Sequence, residues 1–224
     1  MKENYDLQMR AIIEETDRRL AEGELSLPPR LLLHSCCAPC SSSVLEQLTA
    51  HFRVTVLYYN PNIYPREEYE FRKEEQKRFI GTYPFPYPAD FLDCEYEPEQ
   101  FREAVKGLEE EPERGGRCTV CYRLRLHRTA REAAKGAFGY FATTLTLSPL
   151  KDAERLNRIG REEAAALIKE WGPAAPRWLP SDFKKRNGYL RSLEISRECG
   201  MYRQDYCGCE FSLCRKIPER AERS

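Results

Sequence analysis

Apolar positions recur along the chain at helical spacing in some stretches and as short continuous runs in others, and the two alternate. Residues 3–21 put Tyr5, Met9, Ile12, Ile13 and Leu20 on one face, which predicts an N-terminal amphipathic helix. Leu25–Pro29 reads as a connection, and Arg30–Ser35 (RLLLHS) as a short strand that ends in small and thiol residues. Ser41–Leu48 follows as a helix, its serines suited to a capping turn. Arg53–Asn60 (RVTVLYYN) is a second strand, stopped by Asn60-Pro61. Residues 65–80 predict a charged helix anchored by Tyr69, Phe79 and Ile80, and Pro86–Asp93 a third strand. Pro98 opens a helix carrying Phe101, Ala104, Val105 and Leu108, and Glu109–Gly116 is a loop. A helix then runs from Cys118 to Ala134, with Tyr122, Leu126, Ala130 and Ala133 in register. Gly139–Leu147 (GYFATTLTL) is the fourth strand, and Leu156, Ile159, Leu167, Ile168 and Trp171 mark the helix after it. Trp178-Leu179-Pro180 forms a short edge strand, and Ser181–Ser224 is polar and cysteine-bearing.

Strands that alternate with helices argue an α/β fold with a parallel sheet covered on both faces. Residues 1–29 read as a helical extension, and 30–224 as a single α/β domain. Such sheets bind ligands beyond the carboxyl ends of their strands, where strand order reverses. Ser35-Cys36-Cys37, Tyr59-Asn60-Pro61-Asn62 and Leu147-Ser148-Pro149 are therefore expected on one rim.

Charge narrows the chemistry. The 36 basic and 36 acidic residues cancel, which excludes a uniformly basic nucleic-acid coat and leaves only local patches. No run approaches the roughly 18 apolar residues of a membrane span. The charged N-terminus has no apolar signal core, so the expected location is the cytoplasm. Ten cysteines in a reducing compartment point to metal or redox chemistry before structural disulfides.

Seven of those cysteines fall in three tight clusters: Cys36, Cys37 and Cys40; Cys118 and Cys121; Cys207 and Cys209. The first lies where a strand gives way to a helix, and the second at another helix start, after Gly115-Gly116-Arg117. Backbone N–H groups at a helix start stabilise thiolate and suit an anionic metal centre. Gly208 between Cys207 and Cys209 lets both sulfurs face one side. Three readings stay open: an iron–sulfur cluster on Cys36, Cys37, Cys118 and Cys121, a four-ligand zinc site, and metal-free dithiol chemistry. In the first, Cys207 and Cys209 are left to act as a dithiol/disulfide, or to ligate a second metal together with Cys40. Cys94, Cys199 and Cys214 stand alone and read as packing thiols. A phosphate-cradling loop is excluded at the first cluster, because Cys36–Cys40 contains neither glycine nor lysine and Pro39 has no N–H to donate.

The segments HSCCAPCSS, YYNPNIYPREEYEFR, RCTVCYRLRL, FATTLTLSP and MYRQDYCGCEFS together resemble the cobalamin-independent epoxyqueuosine reductases (QueH), from Leu31 to Leu213. The resemblance implies an adenine-nucleotide-hydrolase-like Rossmannoid fold with the C-terminal cysteine-bearing segment over the crevice. It implies reduction of epoxyqueuosine to queuosine in tRNA, with an electron donor whose identity it leaves open. It further implies a [4Fe–4S] cluster on Cys36, Cys37, Cys118 and Cys121, and a Cys207/Cys209 pair that is redox-active or holds an adjacent mononuclear iron. Competing classes are a zinc-stabilised RNA-binding module and a tRNA sulfur-transfer enzyme on a similar fold; the latter normally needs ATP, which the missing Gly-rich loop argues against.

On the substrate side, Tyr59, Asn60, Asn62 and Tyr64 sit on the expected rim, where amides read base edges and rings stack on a splayed nucleotide; a plain turn built by Asn-Pro is the alternative. Asp182, Lys184, Lys185, Arg186, Asn187 and Arg191 form a basic run with one carboxylate, and Arg123, Arg125 and Arg128 lie on the Cys118 helix; either set suits phosphates or a solvated charged face. Asp182 is a proton relay or a helix cap. His34 reads as a core residue before a proton donor, and Thr143 and Thr144 as strand residues.

Overall fold

A computed structural model describes residues 3–212. Helix α1 (Tyr5–Ala21) precedes strand β1 (Arg30–His34), followed by α2 (Ala38–Leu48), β2 (Arg53–Tyr58), α3 (Arg66–Thr82), β3 (Asp90–Asp93), α4 (Pro98–Ala104), α5 (Gly116–Lys135), β4 (Tyr140–Thr143), α6 (Ala153–Trp171), β5 (Arg177–Trp178) and α7 (Gly188–Glu198). The five strands form one sheet in the order β3-β2-β1-β4-β5, and every pairing is parallel. The α/β class expected from the alternating pattern is the fold observed.

Burial explains why the central strands carry no alternation. Leu31, Leu32 and Leu33 of β1 are all inaccessible, because the sheet is covered on both faces and each face has its own core. One core gathers Leu31, Leu33, Val54, Val56 and Ala142 with α2, α7 and Met9 and Ile13 of α1. The other gathers Leu32, Leu57 and Phe141 with α5 and α6. Gly160 on α6 is required there: a Cβ would stand 2.2 Å from the Trp178 indole.

Element ends shift by a few residues, as where the third strand is Asp90–Asp93 and the Pro98 helix ends at Ala104, and two expectations change in kind. The fourth strand ends at Thr143, and Thr144–Leu147 is a single 3₁₀ turn rather than further strand. The Thr143 hydroxyl accepts the Leu145 N–H and so caps that turn. The polar C-terminal stretch contains α7, whose buried face is made by Ser192, Ile195 and Ser196. A face built of serines has no apolar period to read. Cys214, expected to be a packing thiol, lies outside the described residues.

The chain runs from β1 outward through β2 to β3, then returns to place β4 on the other side of β1. The order thus reverses between β1 and β4. Their carboxyl ends open the crevice that this topology provides.

Candidate metal centre

The crevice is built from buried polar contacts before any cysteine enters it. Ser35, just past β1, accepts the Asn60 amide on its carbonyl (2.8 Å) and donates its hydroxyl to Gln76 (2.7 Å), while Ser41 is within 3.0 Å of the same Gln76 oxygen. His34 bridges Thr143 (2.9 Å) and the Tyr59 carbonyl (3.1 Å). A carbonyl can only accept, so Nε2 carries the proton and Nδ1 accepts from the threonine hydroxyl. Burial, together with the Arg125 charge, holds His34 down at about 4, so the ring is neutral and braces β1 against β4. Its reading as a core residue stands.

On that base the three cysteine clusters converge. Cys36, Cys40, Cys118, Cys121, Cys207 and Cys209 line one cavity of about 210 Å³ beyond the ends of β1 and β4. Cys37, the N-cap of α2, lies behind it with its sulfur 3.8 Å from that of Cys36. The sulfurs of Cys36, Cys37 and Cys40 all lie within 4.8 Å of one another. Cys118 and Cys121 occupy the first turns of α5, three residues apart and so on one face. Cys121 and Cys209 share a small apolar cluster with Phe101 and Val105. All nine described cysteines are free thiols, Cys207 and Cys209 included.

The surroundings suit negative charge. The amino ends of α2 and α5 both face the cavity, and Arg117 and Arg125 line it. Arg72 is buried beside Cys37 and paired with Glu68 (2.7 Å), and its acidic neighbours outweigh the cost of burial and keep the guanidinium protonated. The Cys37 and Cys40 thiols, helped by Arg125, hold Cys36 well below the usual thiol range, and Cys37 in turn is pushed up to about 12. Cys207 is likewise lowered, first by the Cys209 thiol and also by Lys151, while Cys209 is raised. In each of these clusters Cys36 or Cys207 is the thiol readiest to ionise, and a bound cation favours ionisation of the rest. Donors that already reach sulfur include the Gln204 amide to Cys37 (2.9 Å) and the Arg114 backbone N–H to Cys118 (3.3 Å).

The C-terminal segment lies over the crevice as a strap. Ile63 and Cys209 form an antiparallel bridge, the Tyr64 N–H donates to the Gly208 carbonyl (2.8 Å), and the Tyr206 hydroxyl donates to the Tyr64 carbonyl (2.6 Å). Gly208 sits at φ +97°, and a Cβ there would meet Ile63 Cγ1 at 2.7 Å.

The expected substrate residues separate. Asn62 lines the cavity, buried, and its Oδ1 has no hydrogen-bond partner among the described residues. Tyr64 is exposed beside the strap. Tyr59 and Asn60 are buried behind the wall, the Tyr59 hydroxyl donating to Gln100 (2.8 Å). Asp182, Lys184 and Arg186 are not among the lining residues: Lys184 pairs with Asp182 (2.6 Å), and Arg186 with Asp6 of α1 (3.1 Å). Arg125 is inside the wall, and Arg123 and Arg128 pair with Glu162 and Glu97, so these arginines form no open phosphate-binding row. Sequence reasoning passed over Lys151, Arg72 and Gln204. Lys151 follows the Leu147-Ser148-Pro149 rim and was within reach of that argument, whereas Arg72 stands in a charged helix that gives it no distinguishing sign.

The family described as Epoxyqueuosine reductase QueH matches residues 31–215. The chain is 39% identical over 219 residues to the epoxyqueuosine reductase QueH of Staphylococcus epidermidis, an alignment covering 96% of this chain and 87% of that one. It is 39% identical to the protein of that name from Streptococcus pyogenes over 94% of this chain and 78% of the relative. With the one from Acinetobacter baylyi the identity is 40% over 85% of this chain and 84% of the relative. Among the described residues no helix is long and apolar enough to cross a membrane.

Proposed function

We propose, from the premise that this chain belongs to the epoxyqueuosine reductase QueH family, that it reduces epoxyqueuosine to queuosine at the wobble position of a tRNA anticodon. Membership makes it an oxidoreductase of queuosine biosynthesis; the tRNA position and the iron–sulfur route are inferred. One observation carries the reading: thiols from three distant segments line a single cavity at the switch point of the sheet.

A donor set rich in cysteine sulfur and backed by buried guanidinium groups fits a thiolate-held, negatively charged iron–sulfur centre. Cys36, Cys37, Cys118 and Cys121 would hold a [4Fe–4S] cluster. Cys40, Cys207 and Cys209 would stand beside it, as ligands of a second iron or as a redox dithiol. When bound, the cluster supplies electrons one at a time to a deoxygenation that turns an epoxide, two electrons and two protons into an alkene and water.

The chain's own groups do the rest. Arg72, Arg117 and Arg125 stabilise thiolate charge from inside the wall. The strap from Met201 to Cys209 narrows access to the crevice. Asn62 offers an acceptor to the substrate, and Tyr64 a ring on which a splayed nucleotide stacks. Tyr59 and Asn60 are positioning residues for that loop, and Asp182, Lys184 and Arg186 stand outside the cavity lining. The test is turnover of epoxyqueuosine-containing tRNA under anaerobic conditions with a chemical reductant, read as nucleosides by mass spectrometry. Iron-loaded protein is expected to form queuosine and iron-free protein none; normal turnover by the iron-free preparation contradicts the reading.

A further inference from the structure

Four basic side chains line the cavity, and three are committed to holding the wall. Arg117 gives one nitrogen to the carbonyls of Leu108, Glu109 and Glu111. Arg125 donates to the Cys121 carbonyl from a fully buried position, and Arg203 donates to Ser196 Oγ. Lys151 is different. Its ammonium makes no hydrogen bond or ion pair with any described residue; it lies 5.9 Å from the centre of the Tyr122 ring.

Its root is nevertheless fixed. The Lys151 N–H donates to the Ser148 carbonyl (3.1 Å), and the neighbouring Leu150 carbonyl accepts from Arg114 (3.0 Å). The side chain therefore enters the cavity from a loop set by the end of β4, on a wall shared with Cys121 and Cys207. Asn62, whose buried Oδ1 has no partner among the described residues, lines the same space. A free three-proton donor and an orphaned acceptor in one cavity call for an occupant with both an oxygen that accepts and a group that donates. An epoxide-bearing nucleoside has both.

Resting on the epoxide-reduction reading, we propose that Lys151 is a catalytic residue whose ammonium hydrogen-bonds the epoxide oxygen and stabilises the charge gathering there as the C–O bonds break. The balance is simple. Both C–O bonds of the epoxide break, a C=C bond forms, and carbon takes two electrons from a low-potential one-electron reductant, which a bound thiolate-held centre would relay. The oxygen takes two protons from water in the open cavity and leaves as water. Lys151 keeps its own proton throughout, so its part is electrostatic.

The test uses anaerobically purified, iron-loaded protein, with Lys151→Met and Lys151→Arg beside wild type. Iron and sulfide per chain, the midpoint potential of the cluster, tRNA affinity and the single-turnover rate are measured. Lys151→Met is expected to keep its iron, sulfide, potential and tRNA affinity and to lose about 100-fold in rate, the usual cost of removing one donor to a developing oxyanion. Lys151→Arg keeps the charge and is expected to recover to within about tenfold of wild type. The proposal fails if Lys151→Met turns over within about threefold of wild type, if its rate loss follows loss of iron or a shifted potential, or if Lys151→Arg is as slow as Lys151→Met. A wild-type chain that holds iron and binds tRNA yet converts no epoxide overturns the functional reading itself, and this role with it.

Discussion

The two sides of the thiol cavity are made in opposite ways. The side carrying Cys36, Cys37, Cys118 and Cys121 grows from helix starts at the ends of the sheet and is backed by the buried contacts of His34, Ser35, Asn60 and Gln76. The side carrying Cys207 and Cys209 is a strap, held by one β-bridge to Ile63, hydrogen bonds to Tyr64, and side-chain contacts that include Tyr202 with Glu68, Arg203 with Ser196, Gln204 with Cys37 and the Arg72 guanidinium 5.1 Å from the Tyr206 ring. The first side is fixed by burial, so it determines where an inorganic centre sits. The second is held by single contacts to several separate elements rather than within the sheet, so it determines what that centre meets. Segments held outside the regular elements open at lower cost than core strands and helices.

Breaking the strap's chemistry gives the largest expected effect. Cys207→Ser is expected to lower single-turnover reduction about 100-fold while leaving the visible absorbance of the four-iron cluster in place. Loss of that absorbance would move Cys207 to the fixed side. Breaking only the strap's geometry comes next. Gly208→Ala puts a Cβ against Ile63 at a positive φ, which costs about 1–2 kcal/mol locally. Turnover is expected to fall about tenfold and limited proteolysis to cut within the strap, with the urea midpoint of the whole chain little changed. An unchanged cleavage pattern would mean the strap is part of the rigid body. The smallest effect sharpens the contrast from outside: Arg186→Ala removes an exposed ion pair with Asp6 and is expected to alter stability by less than about 1 kcal/mol and turnover not at all. A large loss of turnover would restore the basic run to the site.

Much of the fixed side was legible from the chain alone. Strand runs such as Leu31–Leu33 are apolar throughout because both faces are covered, and the switch-point rule then puts Cys36 and the Leu147–Pro149 rim together. What stayed hidden depends on contacts across the sequence. Asn60 and Tyr59 read equally well as ligand-facing, and only the Ser35 carbonyl and Gln100 place them behind the wall. Lys184 and Arg186 look like a basic patch until their carboxylate partners, Asp182 and Asp6, are seen. Helix α7 escaped because serine, not leucine, packs against α2, where Ser43 meets the Gly188 carbonyl.

The account turns on sulfurs of separate clusters gripping one inorganic centre. The most direct measurement is iron and acid-labile sulfide per chain, with visible absorbance, in anaerobically purified wild type, Cys36→Ala and Cys118→Ala. The account predicts about four irons and four sulfides in wild type, and near-background values in each variant, since a four-thiolate cluster that loses either pair's contribution is not retained. Full iron and sulfide in Cys118→Ala, or colourless wild-type protein holding a single zinc, would contradict it.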